Sequence, residues 1–92
     1  MIEKEKVQAN LNIVELNLRS FFLAMNDHWT SEDYDLDTKL SNDIRKANAE
    51  YKATYGEEPM YEYCNNHEDV IDLEKKLKDY LSKFNEEGDH NV

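Results

Sequence analysis

One run of carboxylates has the spacing of metal ligands. Asp33, Asp35 and Asp37 alternate with single residues, as ligands do at the start of a calcium-binding EF-hand loop. That loop also needs a glycine at its sixth position and a bidentate glutamate at its twelfth. Thr38 and Ile44 occupy those positions, so the pattern favours a solvated acidic segment over a calcium site.

The single cysteine, Cys64, precedes His67 by three residues. A structural zinc site needs four ligands, usually in two close pairs, and His28 and His90 do not supply a second pair. A nucleophilic thiolate needs positive surroundings, whereas Cys64 lies in the most acidic part of the chain. The sequence has no glycine-rich phosphate loop, and a small helical domain offers little room for a dry cleft. We therefore expect no metal, no cofactor and no enzymatic activity.

The acidic side chains are concentrated in two segments of a chain whose formal net charge is −10. The first acidic segment, residues 26–37, and the second acidic segment, residues 57–74, contain no lysine or arginine, while the rest of the chain is nearly neutral. Such a protein repels nucleic acid and anionic membranes and is attracted to basic surfaces. We expect a basic partner to bind the twelve acids of these segments: Asp27, Glu32, Asp33, Asp35, Asp37, Glu57, Glu58, Glu62, Glu68, Asp69, Asp72 and Glu74.

Length and composition predict one domain, residues 1–88, followed by a frayed tail at residues 89–92. A single cysteine fits a reducing compartment. The sequence has no apolar run of membrane-spanning length and no signal-peptide pattern at its beginning. These features predict a cytoplasmic protein.

Three stretches with a helical apolar period predict an all-α domain, a small bundle of three main helices. The scarcity of glycine and proline argues against a β-rich fold. The first helix is expected at about residues 3–25, the second at 38–55 and the third at 68–84. A short extra helical turn is expected near residues 59–64, beginning at Pro59. The apolar face predicted for the second helix consists of Leu36, Leu40, Ile44, Ala47, Tyr51 and Tyr55.

Several residues predict where these helices begin and end. Gly56 and Gly88 follow the second and third apolar stripes as stop signals, and Asn66 is the expected N-cap of the third helix. Thr30 and Asp33 have the spacing of a capping box, so an earlier helical start there is the alternative for the second helix.

The first helix has two apolar rows on nearly opposite sides. One row consists of Val7, Leu11, Val14, Leu18, Phe21 and Met25, widened by Phe22. The surplus row consists of Ile2, Ala9, Ile13, Leu16 and Leu23. Because a surface helix needs only one apolar face, the helix must lie between two layers or meet another chain. We predict the second arrangement, a homodimer through the surplus row.

In size, charge and helicity the chain resembles small acidic phage-encoded inhibitors that mimic DNA and disable host DNA-binding proteins such as the nucleoid protein HU. The resemblance implies a host–virus function in which clustered carboxylates occupy the DNA-binding groove of a basic partner. A dimeric helical adaptor, binding through apolar helix faces, is the first alternative. A nuclease immunity protein is the second, although Pro59 precedes Tyr61 and Tyr63 here, whereas that family has a Tyr-Tyr pair followed by proline and glycine.

The sequence leaves the relation between the two acidic segments open. In an up-down bundle, the two connections between the helices lie at opposite ends. If the connections fold back, the acidic segments share one face.

Overall fold

A computed structural model describes the backbone of residues 4–90 and the side chains of residues 4–84. Within this range the protein consists of helices and turns without strands. Helix α1 is Lys4–Ala24, α2 is Ser31–Tyr55 and α3 is His67–His90, with a short 3-10 helix at Met60–Tyr63 between α2 and α3. The predicted all-α bundle of three helices with a short extra turn is therefore confirmed.

Helix α2 begins about two turns earlier than its apolar stripe suggests. Thr30 and Asp33 form a complete capping box: the Thr30 side chain accepts from the Asp33 N–H, and the Asp33 carboxylate accepts from the Thr30 N–H. The alternative start is thus correct, and most of the first acidic segment is helical. At the other end, Gly56 adopts the left-handed conformation (φ 69°), and its N–H bonds to the Lys52 carbonyl oxygen.

Helix α3 begins as expected and continues further than expected. The Asn66 side chain accepts a hydrogen bond from the Asp69 N–H, as an N-cap does. The helix continues through Gly88 to His90, so Gly88 does not end it. The last two residues of the predicted tail, 91–92, lie outside the described residues.

Helix α1 lies between α2 and α3, which make almost no contact with each other. The face of α1 toward α3 forms the larger core cluster: Val7, Leu11, Val14 and Leu18 with Val70, Leu77 and Leu81. Met60, Tyr61 and Cys64 of the connection before α3 cover part of this cluster. Because each outer helix packs mainly on α1, the central helix needs two apolar faces.

The surplus row of α1 is covered by α2 within the same chain. Ile13 and Leu23 are only 2% and 8% exposed, and Ala9 and Leu16 are half-buried. Ala9 and Ile13 line one groove between α1 and α2 together with Tyr51, and Leu16 and Leu23 line another together with Leu40. Ile2 lies outside the described residues. Helix α2 therefore covers much of the described part of this row within the same chain, and the homodimer through it stays a prediction.

Asn10 fixes the path of the chain after α2. This side chain is 1% exposed, and its amide donates to the Lys6 carbonyl oxygen (2.9 Å) and the Tyr51 hydroxyl (3.0 Å). Its Oδ1 accepts from the Met60 N–H (2.8 Å). One buried amide therefore joins α1, α2 and the 3-10 helix near the beginning of α1.

The connection between α2 and α3 runs back along α1. It leaves α2 beside Lys6, which pairs with Glu57, and passes Asn10 at Met60. At its end, His67, the first residue of α3, lies against Phe21, and the two rings stack with centroids 3.5 Å apart. Helices α2 and α3 are consequently both antiparallel to α1 and parallel to each other, and both begin at the end of the bundle where α1 ends.

None of the helices in the described part of the chain is long and apolar enough to cross a membrane.

Candidate partner-binding site

Four carboxylates lie in the first two turns of α2: Glu32, Asp33, Asp35 and Asp37. Glu32 and Asp35 are exposed, whereas Asp33 and Asp37 are half-buried. Asp33 has a structural role as well, because its Oδ2 accepts from the Thr30 N–H at 2.9 Å. Carboxylates at a helix N-terminus are stabilised by the helix dipole, so these acids both support α2 and add negative charge at its end.

The first turns of α3 repeat this arrangement. The Asp69 N–H bonds to Asn66, and the Asp69 Oδ2 accepts from the Asn65 N–H at 3.0 Å. Glu68 and Asp72 are exposed, and their spacing of four residues places them on one face of the helix. The two helices therefore begin with the same chemistry, one capping aspartate and exposed carboxylates beside it.

The return of the connection brings these two sets of acids to one end of the molecule. We call the first two turns of α2 and α3, residues 31–37 and 67–74, the acidic end. Glu57 and Glu58 lie at the opposite end, where they pair with Lys6 and Lys52. The first acidic segment and residues 66–74 of the second acidic segment thus lie at the same end of the bundle. Glu57 and Glu58 lie at the other end.

The predicted acids differ in whether another group of the chain engages them. Asp33 and Asp69 accept hydrogen bonds from backbone N–H groups at the beginnings of α2 and α3, and Glu57, Glu58 and Glu74 form ion pairs. Among the described residues, the other seven predicted acids make no hydrogen bond or ion pair through their side chains: Asp27, Glu32, Asp35, Asp37, Glu62, Glu68 and Asp72. Four of these, Glu32, Asp35, Glu68 and Asp72, are exposed at the acidic end.

Large apolar side chains also reach solvent at this end, which the sequence pattern did not predict. Phe22, Met25 and Leu36 are 59%, 63% and 44% exposed, although all three belong to predicted apolar faces. Tyr34 is exposed too, and its ring contacts Trp29 edge-on, with centroids 5.1 Å apart. Periodicity identified the correct helix faces, but it did not show that these faces extend beyond the neighbouring helix.

The surroundings of Cys64 disfavour a reactive thiolate. Burial raises the pKa of the Cys64 thiol, and the nearby Asp69 carboxylate raises that pKa further, so the thiolate is disfavoured. His67 is stacked on Phe21. Within the part of the chain that the structure describes, no three His, Cys, Asp or Glu side chains lie close enough together to hold a metal ion.

Comparison of the chain with protein-family models, with characterised proteins and with solved structures found no match.

Proposed function

We propose that the protein is an acidic inhibitor that binds the basic nucleic-acid-binding surface of another protein and thereby blocks its DNA binding. The observation that carries this proposal is the shared location of two acid-rich helix beginnings, those of α2 and α3, at one end of the bundle. No lysine or arginine interrupts residues 31–37 or 67–74. We place this activity in the cytoplasm, because a single free cysteine fits a reducing compartment.

The charge density at this end supports mimicry of DNA. Glu32, Asp33, Asp35 and Asp37 lie within five residue steps of α2, which correspond to about 7.5 Å of helix rise. Four charges over that length approach the density of duplex DNA, about one charge per 1.7 Å of axis. Helix α3 adds a second set with Glu68, Asp69 and Asp72. Because the acids are on helices, their relative positions are more fixed than in a loop.

The adaptor alternative has less support. The surface of that alternative is the pair of apolar rows on α1, and six side chains of those rows are buried within the chain: Val7, Leu11, Ile13, Val14, Leu18 and Leu23. Nothing in the geometry specifically favours a nuclease immunity function.

The test begins with capture of partners from cell lysate at about 50 and 200 mM salt, a range over which contacts to a polyanion weaken strongly. The variant neutralises the exposed acidic end with Glu32→Gln, Asp35→Asn, Glu68→Gln and Asp72→Asn. A matched control changes the net charge equally but elsewhere, with Glu5→Gln, Glu15→Gln, Glu50→Gln and Asp79→Asn. Exposed charges contribute little stability, so both variants should remain folded.

We expect a basic DNA-binding protein to be retained at low salt and released at high salt, with HU as the first candidate to be examined. A captured protein is then loaded with labelled duplex DNA, and wild type or either variant is titrated in. Wild type and the control should displace the DNA, whereas the acidic-end variant should require about tenfold more protein. Equal displacement by the two variants, or binding indifferent to salt, would refute mimicry of DNA.

A further inference from the structure

Exposed apolar side chains are unevenly distributed over the protein. Among the described residues, five large hydrophobic side chains are strongly exposed, and four of them, Phe22, Met25, Tyr34 and Leu36, lie where α1 ends and α2 begins. Single exposed apolar residues are ordinary, but a group of them on one surface is typical of an interaction site. The group borders the acidic end, so charge and apolar surface occur together.

A groove between α1 and α2 lies beneath part of this group. It has a volume of about 450 Å³, and Leu16, Phe22 and Leu23 of α1 and Leu36 and Leu40 of α2 form its apolar lining. That volume is within the range of about 300–1,000 Å³ found for ligand pockets. The groove is open, and about two turns each of α1 and α2 line it, which suits side chains of a third helix better than a compact small molecule.

The charges around the groove differ between its middle and the end near the first turn of α2. Arg19 and Lys39 line it together with Asp43, and Arg19 also approaches Glu15 at 3.9 Å, so its middle is nearly balanced. One turn before Leu36 on the same face of α2 is Glu32, and Asp35 lies next to Leu36; both are exposed. The first turn of α2, where carboxylates prevail, thus lies next to the Leu36 end of the groove.

We propose that this groove binds an amphipathic helix of the basic partner, with apolar side chains between α1 and α2 and lysines or arginines over the first turn of α2. The inference rests on the proposed function, because that function supplies the basic partner. It adds an apolar anchor that a DNA mimic acting by charge alone would lack. Apolar contacts at the centre of an interface commonly supply most of the affinity, while charges steer the encounter.

The probe is a short labelled peptide of leucine and lysine, in which the leucines recur three and four residues apart. A scrambled peptide of identical composition and charge, without an apolar face, is its control. Affinities of the full chain are measured by fluorescence anisotropy at about 50 and 200 mM salt. The protein variants are Phe22→Ala and Leu36→Ala, each verified by circular dichroism, with Tyr63→Ala as a control at another strongly exposed apolar residue outside the groove.

We expect the amphipathic peptide to bind about tenfold more tightly than the scrambled one, since loss of a buried interface anchor costs roughly that factor. The preference should persist at the higher salt concentration, disappear in Phe22→Ala and Leu36→Ala, and remain in Tyr63→Ala.

Equal binding of both peptides would overturn the groove proposal, and if that binding fell with salt, the proposed function would stand. Binding of neither peptide would count against both proposals. A preference that survives both groove variants would place the apolar anchor elsewhere and overturn the inference. So would sedimentation showing a dimer that Phe22→Ala dissociates, because a second copy would then occupy the groove.

Discussion

Replacement of Asn10 with alanine should destabilise the whole bundle, because one buried amide holds three elements together. The substitution removes the acceptor of the Met60 N–H and the donor to the Tyr51 hydroxyl. Each buried polar group left without a partner costs about 1–3 kcal/mol, and the gain in helix propensity from alanine returns about 0.5 kcal/mol. For the two groups together the expected net loss is roughly 1.5–5.5 kcal/mol, out of about 5–14 kcal/mol for a domain of this length.

Urea denaturation followed by far-UV circular dichroism measures this loss. Asn12→Ala is the matched control, because Asn12 is exposed on the same helix and its side chain bonds only to Gln8. A double-mutant cycle with Tyr51→Phe isolates the shared hydrogen bond, and the double variant should lose about 1 kcal/mol less than the two single losses combined. A loss of unfolding free energy for Asn10→Ala no larger than that for Asn12→Ala would contradict the predicted role of Asn10. Additive losses for Asn10→Ala and Tyr51→Phe would contradict the shared hydrogen bond.

Three further predictions concern helix capping, the thiol and the surplus row. Thr30→Ala should lower the unfolding free energy by about 1 kcal/mol, because it removes the capping box of α2. A change near zero in urea denaturation would show that the capping box does not stabilise the fold. Cys64 should be alkylated with a pH midpoint above that of the urea-unfolded protein, because burial and the Asp69 carboxylate both disfavour the thiolate. Asp69→Asn should lower that midpoint, and an unchanged midpoint would exclude the carboxylate as a cause. Leu16→Asp should lower the unfolding free energy by about 2–3 kcal/mol, since Leu16 lines a groove between α1 and α2; dissociation of a dimer without loss of stability would support the surplus row as an interface.

The helices themselves were predictable, because apolar side chains recur with the helical period along each of them. The stripe of α3, with Val70, Leu77 and Leu81, is the clearest case. The start of α2 was harder, since its first two turns are dominated by carboxylates, and only the Thr30–Asp33 capping box indicates a helix there.

The sequence could not show what covers each apolar row. Ile13 and Leu23 indicate burial, but a periodic pattern does not distinguish a neighbouring helix of the same chain from a second copy. The direction of the connection was equally hidden. It depends on a hydrogen bond between Asn10 and Met60, fifty residues apart, and such a bond leaves no local pattern. The shared location of the acids follows from that connection. The sequence could therefore predict which acids belong to the candidate site, but not which of them lie at the same end of the bundle.

The near absence of contact between α2 and α3 has a consequence for how the protein opens. Because each outer helix packs mainly on α1, either can detach while the other pair stays intact. Helix α2 buries only Leu40 and Tyr51, whereas α3 buries Val70, Leu77 and Leu81. Partial opening of this kind proceeds in cooperative units, and the unit with fewer buried apolar contacts opens first. Backbone amides in the middle of α2 should therefore exchange with deuterated solvent earlier than those between Val70 and Leu81, and half of the acidic end would leave with α2 each time it opens.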